Sequence, residues 1–188
     1  AGGTYQGMIN QVEAAYENPD SGKIDISPDV EKIYNEVLDA SATQSAHLGQ
    51  WSDDWMAGLS NGAFATMLCP GWMLGVISGN AKDVTGWDIA NVFPGGGGNW
   101  GGSFLTVPAQ SKHPDEAKEF AAWITAPEQQ VRAFEAIGAW PSTVEAQRSP
   151  EVLKATNPFF NDAPIGEIFA NRAAAVELQP YKGPKYSD

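Results

Sequence analysis

The chain has 188 residues, 43% of them hydrophobic and 18% charged, which is enough apolar material for one sizeable core and speaks against a disordered tail. Asp and Glu number 23 against 11 Lys and Arg, and the formal net charge of -12 excludes nucleic acid and anionic membranes as partners, because both select basic patches. No run approaches the roughly 20 apolar residues of a membrane span, and a secretion leader is not expected within these residues because no basic segment precedes an apolar one at the start.

In chain order, Met8, Ile9, Val12 and Ala15 predict a short helix over 5–16. Asn18-Pro19-Asp20-Ser21-Gly22 predicts a turn, with a brief alternating segment, KIDISP, after it. Ser27 as N-cap, Pro28 at the first helical position and the acidic Asp29 and Glu31 predict a helix. Its stripe of Val30, Ile33, Tyr34, Val37 and Leu38 is expected to be core. The polar, aromatic WSDDW segment then opens a helix that ends at Asn61-Gly62, a pair suited to a left-handed terminus. AFATML, 63–68, reads as a buried strand that Pro70 and Gly71 stop, leaving Trp72 at the tip. A large ring there either faces a cleft or joins the core, where Trp is heavily buried on average.

The stretch 69–108 concentrates three of the seven Trp, Trp72, Trp87 and Trp100, around four consecutive glycines at 95–98. Each glycine inside a regular element costs about 0.5–1 kcal/mol against Ala, so such a run belongs in a connector or where another group approaches the backbone. Residues 72–80 predict a short helix closed by Gly79-Asn80, 89–93 a strand stopped by Pro94, and 103–107 a strand stopped by Pro108. A two-residue hairpin turn needs far fewer residues than 95–102, so the chain is expected to cross here between two bodies. Helices follow from 111–116, with Ala117, Phe120, Ala121 and Ile124 as the buried face, and from Pro127 through Val131, Phe134 and Ile137 to Gly138. Two more begin at Ser149-Pro150 and run over 165–178, the latter with Ile168, Phe169, Arg172, Ala175 and Val176 along one side. The lone Cys69 rules out an internal disulfide and reads as a buried hydrophobic thiol.

Taken together, NGAFATMLCPGWMLGVI and GWDIANVFPGGGGNWGGSFLTVPAQSKHPDEAKEFAAWITAPEQQ resemble the family-1 extracellular solute-binding proteins of ABC sugar importers. In that family a small-residue strand ending in Gly-Trp, a glycine-led hydrophobic strand, a Ser-Lys-x-x-x-x-Ala-x-x-Phe helix and a Pro-Glu-x-Gln helix recur in this order. CPGWMLG, FPGGGGNWGGSFLTVP and GEIFANRAAAVE are most similar to actinobacterial binding lipoproteins for β-linked sugars, cello-oligosaccharide binders first and xylo-oligosaccharide binders second. The resemblance implies an α/β fold of the type II periplasmic-binding-protein kind, two lobes closing on a sugar and delivering it to membrane permease subunits. It further implies an extracellular protein held to the membrane by an N-terminal lipid outside this chain. On that pattern, 1–100 and 145–188 belong to the C-terminal lobe and 101–144 to the hinge crossing and the segment packing with the N-terminal lobe. Most of that first lobe is absent, so the chain reads as a fragment that carries part of a binding site.

The residues themselves suit such a ligand. Neutral sugars offer apolar C–H faces and a ring of hydroxyls, so they call for aromatic platforms and uncharged hydrogen-bonding groups. Trp72 is the first candidate platform, with Trp100, Tyr5 and Phe169 next. Asn99, Gly101 and Gly102 offer an amide and approachable backbone N–H groups, and Gln6 and Arg172 are further polar candidates. A carbohydrate-active enzyme is the alternative reading, and it would need two carboxylates across the sugar. Asp53, Asp54 and Asp88 lie nearest the aromatic cluster, but their spacing defines no pair. His47 and His113 have no ligand-spaced Cys or Glu, so no metal is expected. The glycine run lacks the Gly-Lys-Ser/Thr ending of a phosphate loop and no G-x-S-x-G occurs, so no cofactor or nucleophilic Ser is expected.

Overall fold

A computed structural model of the chain describes residues 2–176 and 181–183. Its elements are α1 (Gly2–Ile9), α2 (Pro28–Gln44), α3 (Asp53–Asn61), α4 (Met73–Asn80), α5 (Pro114–Ile124), α6 (Pro127–Ile137), α7 (Val144–Gln147), α8 (Pro150–Leu153) and α9 (Ile165–Ala174), with a 3₁₀ turn at Pro158–Phe160 before α9. Helix starts follow local chemistry. The hydroxyls of Ser27, Ser52, Thr143 and Ser149 accept from the backbone N–H three residues on, and Pro occupies the first helical position of α2, α5, α6 and α8. Gly62 at φ 74° and Gly138 at φ 70° end α3 and α6 in the left-handed conformation that glycine adopts without a Cβ penalty.

The helix expected over 5–16 stops at Ile9. The N–H groups of Gln11 and Val12 fold back onto the carbonyls of Met8 and Ile9, and the Gln11 amide donates to the Pro94 carbonyl at 3.0 Å. The Asn10 amide likewise reaches the Asn99 carbonyl. Distant backbone has claimed the side chains that would have continued the helix. Beyond it, Asn18 accepts from the N–H groups of Asp20 and Ser21 to make the predicted turn, and Glu17 and Ile24 form an isolated antiparallel bridge across it.

Two hydrophobic clusters hold the described residues together. The larger joins α3, α4, α6, α8 and α9 through Trp55, Leu59, Met73, Ile77, Phe134, Val152, Phe160 and Ile168. The smaller joins α1 and α2 through Ile9, Val12, Ala15 and Val30. Of the α2 stripe expected to be core, Val30 alone is buried; Ile33 and Val37 are half-buried and Tyr34 and Leu38 exposed, because among the described residues α2 packs mainly on α1, which covers only part of its apolar face. The buried face expected for α5 is exposed at Phe120 and Ile124 and half-buried at Ala117 and Ala121.

The strands expected at 63–68, 89–93 and 103–107 form no ladder; the described residues contain only the isolated bridges Ala14–Tyr181, Glu17–Ile24 and Asn157–Ala163. β-Branched and aromatic runs fit a pleated surface, but a ladder also needs a neighbouring strand about 4.8 Å away. These three runs find none, and Val92, Phe104 and Leu105 stand largely in solvent, Phe104 at 94% exposure. The stretch 101–144 is not uniform in its packing. Its first part, through α5, buries almost nothing, whereas α6 and Trp140 are built into the larger cluster, α6 against α8 and Trp140 against Phe169 of α9. Of the helix expected over 165–178, residues 177 and 178 lie outside the described residues.

Candidate functional site

Pro70 and Gly71 end the extended run after α3, and the carbonyls of Pro70 and Gly71 accept from Met73 and Leu74 to start α4. This turn sets Trp72 at the N-terminus of α4 with 50% of its surface exposed, so the cleft-facing alternative is the one adopted. Its ring centroid lies 5.9 Å from that of Trp100, with the planes tilted by 37°. Trp100 in turn rests on α1, where a Cβ on Gly3 would meet its indole at 2.4 Å. Only a glycine at position 3 lets the ring lie that close to the helix.

An open cleft of about 2530 Å³ spreads in front of these rings. That is larger than the ~300–1,000 Å³ of an enclosed small-molecule pocket. Trp72, Trp100, Asn99, Gly101, Gly102, Gln6, Phe169 and Arg172 all line it. Tyr5 does not. Its hydroxyl is hydrogen-bonded to that of Tyr16 at 2.7 Å and its ring meets Tyr34 edge-on, so it belongs to the packing of α1 on α2. Phe169 shares its faces between the cleft and the ring of Trp140, 5.4 Å away.

The polar groups of the site are held by one another. The Gln6 amide donates to Asn10 at 3.2 Å, Asn10 donates to the Asn99 carbonyl, and the Asn99 side chain accepts from the Gly101 N–H at 3.0 Å. Gly101, at φ 147°, occupies backbone space that side chains avoid. Arg172 donates through its Nη1 to the Gly96 carbonyl, while its Nε is buried with no acceptor among the described residues. The glycine run lies so close to α9 that a Cβ on Gly97 would fall 2.4 Å from the Arg172 carbonyl, and one on Gly98 would strike the Phe93 ring. Gly97 thus serves a close approach of backbone to backbone, and Gly98 one of backbone to an aromatic ring.

One residue of the cleft lining, Asn10, and one that packs against the lining, Trp51, were not foreseen. Asn10 is 4% exposed, and its sequence neighbourhood reads as an ordinary polar helix face. Trp51, inside the segment read as a polar helix entry, stacks on Trp72 with centroids 5.9 Å apart and planes within 13°. Charge is sparse: of the groups ionised at neutral pH, the lining holds Asp88, Arg172 and Lys182. Asp53 and Asp54 sit instead in the first turn of α3, outside the lining, where they complement the helix dipole. Among the described residues no three His, Cys, Asp or Glu gather as a metal site would require, and no helix is long and apolar enough to cross a membrane.

Cys69 borders the cleft and packs against the larger cluster. Burial pushes its thiol from 9.0 up to about 11, since the apolar surroundings disfavour the thiolate. Alkylation by iodoacetamide at pH 8 is therefore expected to be far slower for the native chain than for the urea-unfolded one, with the difference closing as pH nears 11. The same shift makes the folded state lose stability as pH rises from 9.0 to about 11, where the unfolded chain ionises first. Equal alkylation rates at pH 8 would show that the thiol is not held in this environment.

The family model for bacterial extracellular solute-binding proteins matches residues 8–161, and the chain belongs to that family. A solved structure described as an extracellular solute-binding protein family 1 is 48% identical, superposes with a TM-score of 0.86 and is matched over 97% of this chain. The chain spans 48% of that solved chain, about half its length. No curated protein matches. The fold class is thus the α/β class expected from the sequence, of which the described residues are a helix-rich part.

Proposed function

We propose that this chain carries one wall of the binding site of an ABC sugar importer's extracellular receptor, and that the ligand is a β-linked oligosaccharide of the cello type, with the xylo type second. The observation that carries this reading is the pair Trp72 and Trp100, side by side on a cleft whose lining is otherwise uncharged apart from Asp88, Arg172 and Lys182. Flat indoles suit the C–H faces of pyranose rings, and amides and glycine N–H groups suit hydroxyls. A charged solute would call for a counter-charge aimed into the site. Arg172, the best placed, is turned to the Gly96 carbonyl.

In this reading Asn99, Gly101, Gly102 and Gln6 contact the sugar, Phe169 borders it, and Arg172 holds the glycine run. A second wall comes from a first lobe, met within the crossing segment 101–144 by the exposed 103–107 run and the Phe120, Trp123 and Ile124 face of α5. Permease subunits receive the sugar, and a lipid outside these residues anchors the receptor. The hydrolase alternative is disfavoured because a glycosidase sets two carboxylates about the scissile bond, and the described lining offers Asp88 alone.

The test is calorimetry of the full-length protein against glucose-, xylose- and maltose-based oligosaccharides, with chromatography of the mixtures afterwards. Micromolar binding of the β-linked series with no products is the expected outcome; such binding corresponds to about −8 kcal/mol, which several rings at on the order of 1 kcal/mol each supply together with hydrogen bonds. Turnover would make the protein an enzyme, and no binding of any sugar would remove the carbohydrate reading.

A further inference from the structure

We propose that α1 is the seat that orients Trp100, with Gly3 and Asn10 as its positioning residues: Asn10 pins the backbone that leads into Trp100, and Gly3 receives the far edge of the indole. The inference rests on the sugar-binding reading, in which Trp100 meets the ligand, and it gives two further residues the task of holding that ring.

The composition of α1 is the first observation. Three of its eight residues, Gly2, Gly3 and Gly7, are glycine, which weakens a helix interior relative to Ala. Gly3 and Gly7 are four apart and so share one face, and two rings from either side of the glycine run lie on it. A Cβ on Gly3 would fall 2.4 Å from Cζ2 and 2.8 Å from Cη2 of Trp100, and one on Gly7 would fall 3.0 Å from the Phe93 ring. Tyr5 and Ile9, also four apart, carry the packing on α2 instead. The helix thus gives one face to α2 and the other, reduced to backbone, to the segment that bears Trp100.

Asn10, one residue past α1, supplies the second anchor. It is almost fully buried, and both polar atoms of its side chain are engaged within the protein. Its Oδ1 accepts from the Gln6 amide at 3.2 Å, and its Nδ2 donates to the Asn99 carbonyl. That carbonyl belongs to the planar peptide joining Asn99 to Trp100, so holding it fixes the plane from which the Trp100 side chain departs. The Asn99 side chain accepts from the Gly101 N–H at 3.0 Å and ties the other side of Trp100 to the same residue. Asn10 and Gly3 are separated by about 10 Å along a helix axis, so the backbone and the ring edge of Trp100 are held at two distant points. A ring held twice keeps its 37° tilt to Trp72 and has little freedom left to lose when a ligand arrives.

The test is calorimetry of the full-length protein with the β-1,4-linked trimers of glucose and xylose, combining Gly3→Ala and Asn10→Ala each with Trp100→Ala in double-mutant cycles beside thermal melts. Each seat variant is expected to weaken binding about threefold to fivefold while Trp100 is present and less than about 1.5-fold in the Trp100→Ala background, because the loss acts through the ring. Gly3→Ala should do so with a melting temperature within about 4 °C of wild type, since Ala favours the helix from which the ring is displaced. A merely structural Gly3 would lower the melting temperature and leave affinity alone. If Asn10→Ala does not fold, the Gly3 cycle decides the matter. Wild-type affinity in Gly3→Ala, no effect of Trp100→Ala, or losses that add to that of Trp100→Ala as direct ligand contacts would, each overturns the seat and leaves the sugar reading intact. A wild type that binds neither trimer would overturn both.

Discussion

Trp72→Ala in the full-length protein is expected to weaken binding of its oligosaccharide roughly tenfold or more while the thermal transition stays cooperative. Covering half of a large apolar side chain is worth on the order of 1 kcal/mol, and a well-placed aromatic contact adds about 0.5–1.5 kcal/mol beyond its area. The residue is central to the aromatic cluster: both Trp51 and Trp100 lie 5.9 Å from it. Stability should fall little, because half the indole already faces water and it makes no side-chain cap to α4. Calorimetric titration beside a thermal melt separates the two effects. Unchanged affinity would take Trp72 out of the site and leave the Trp pair as surface decoration.

Gly166→Ala is expected to produce the largest loss of stability of any single methyl addition in the described chain. A Cβ at this position would lie 1.8 Å from the Val152 carbonyl oxygen and 2.9 Å from the carbonyl carbon of Leu153, both backbone atoms of α8. Nothing flexible stands there to give way. The Gly166 N–H also donates to the Ala155 carbonyl at 3.1 Å, so separating α9 from α8 breaks a hydrogen bond as well as the packing of Val152, which is fully buried. Overpacking costs typically 1–3 kcal/mol and a lost hydrogen bond about 1 kcal/mol, against a gain of up to ~1 kcal/mol in helix propensity. The expected net loss of about 1–3 kcal/mol corresponds to a fall in melting temperature of roughly 2–12 °C. Gly75→Ala is the control, since open space surrounds that position inside α4 and the change there should be neutral or stabilising. A melting temperature unchanged by Gly166→Ala would show that α8 and α9 are not in the contact described.

What the sequence made legible was whatever depends on a few adjacent residues. Ser27-Pro28 and Ser149-Pro150 mark helix starts, and Gly62 and Gly138 mark helix ends, because capping hydrogen bonds and left-handed backbone are settled within one turn. Strand runs at 63–68, 89–93 and 103–107 carried the right residue types but not their partners, since pairing is decided by segments distant in the chain. The same gap explains the α2 stripe, which is apolar at the correct spacing yet mostly uncovered.

The site was legible in part for a similar reason. Trp72 could be placed at a tip by Pro70 and Gly71, but whether its ring faced a cleft depended on Trp100, 28 positions away. Tyr5 was drawn into the α1–α2 packing by Tyr16 and Tyr34, partners that no local pattern singled out. Trp51 left no mark at all: a positive φ is readable at glycine or asparagine, but at tryptophan the sequence gives no warning of it.

The glycine-rich connector has a mechanical consequence. Its near end is fastened three times, by Gln11 at the Pro94 carbonyl, by Arg172 at the Gly96 carbonyl and by Asn10 at the Asn99 carbonyl. Gly97 and Gly98 are further locked by contact with α9 and Phe93. Gly101 and Gly102 differ, since nothing lies within 4 Å of an added Cβ at either. The strip is thus fastened along 94–99 to the segment after α1 and to α9, and it loses these contacts just past Trp100.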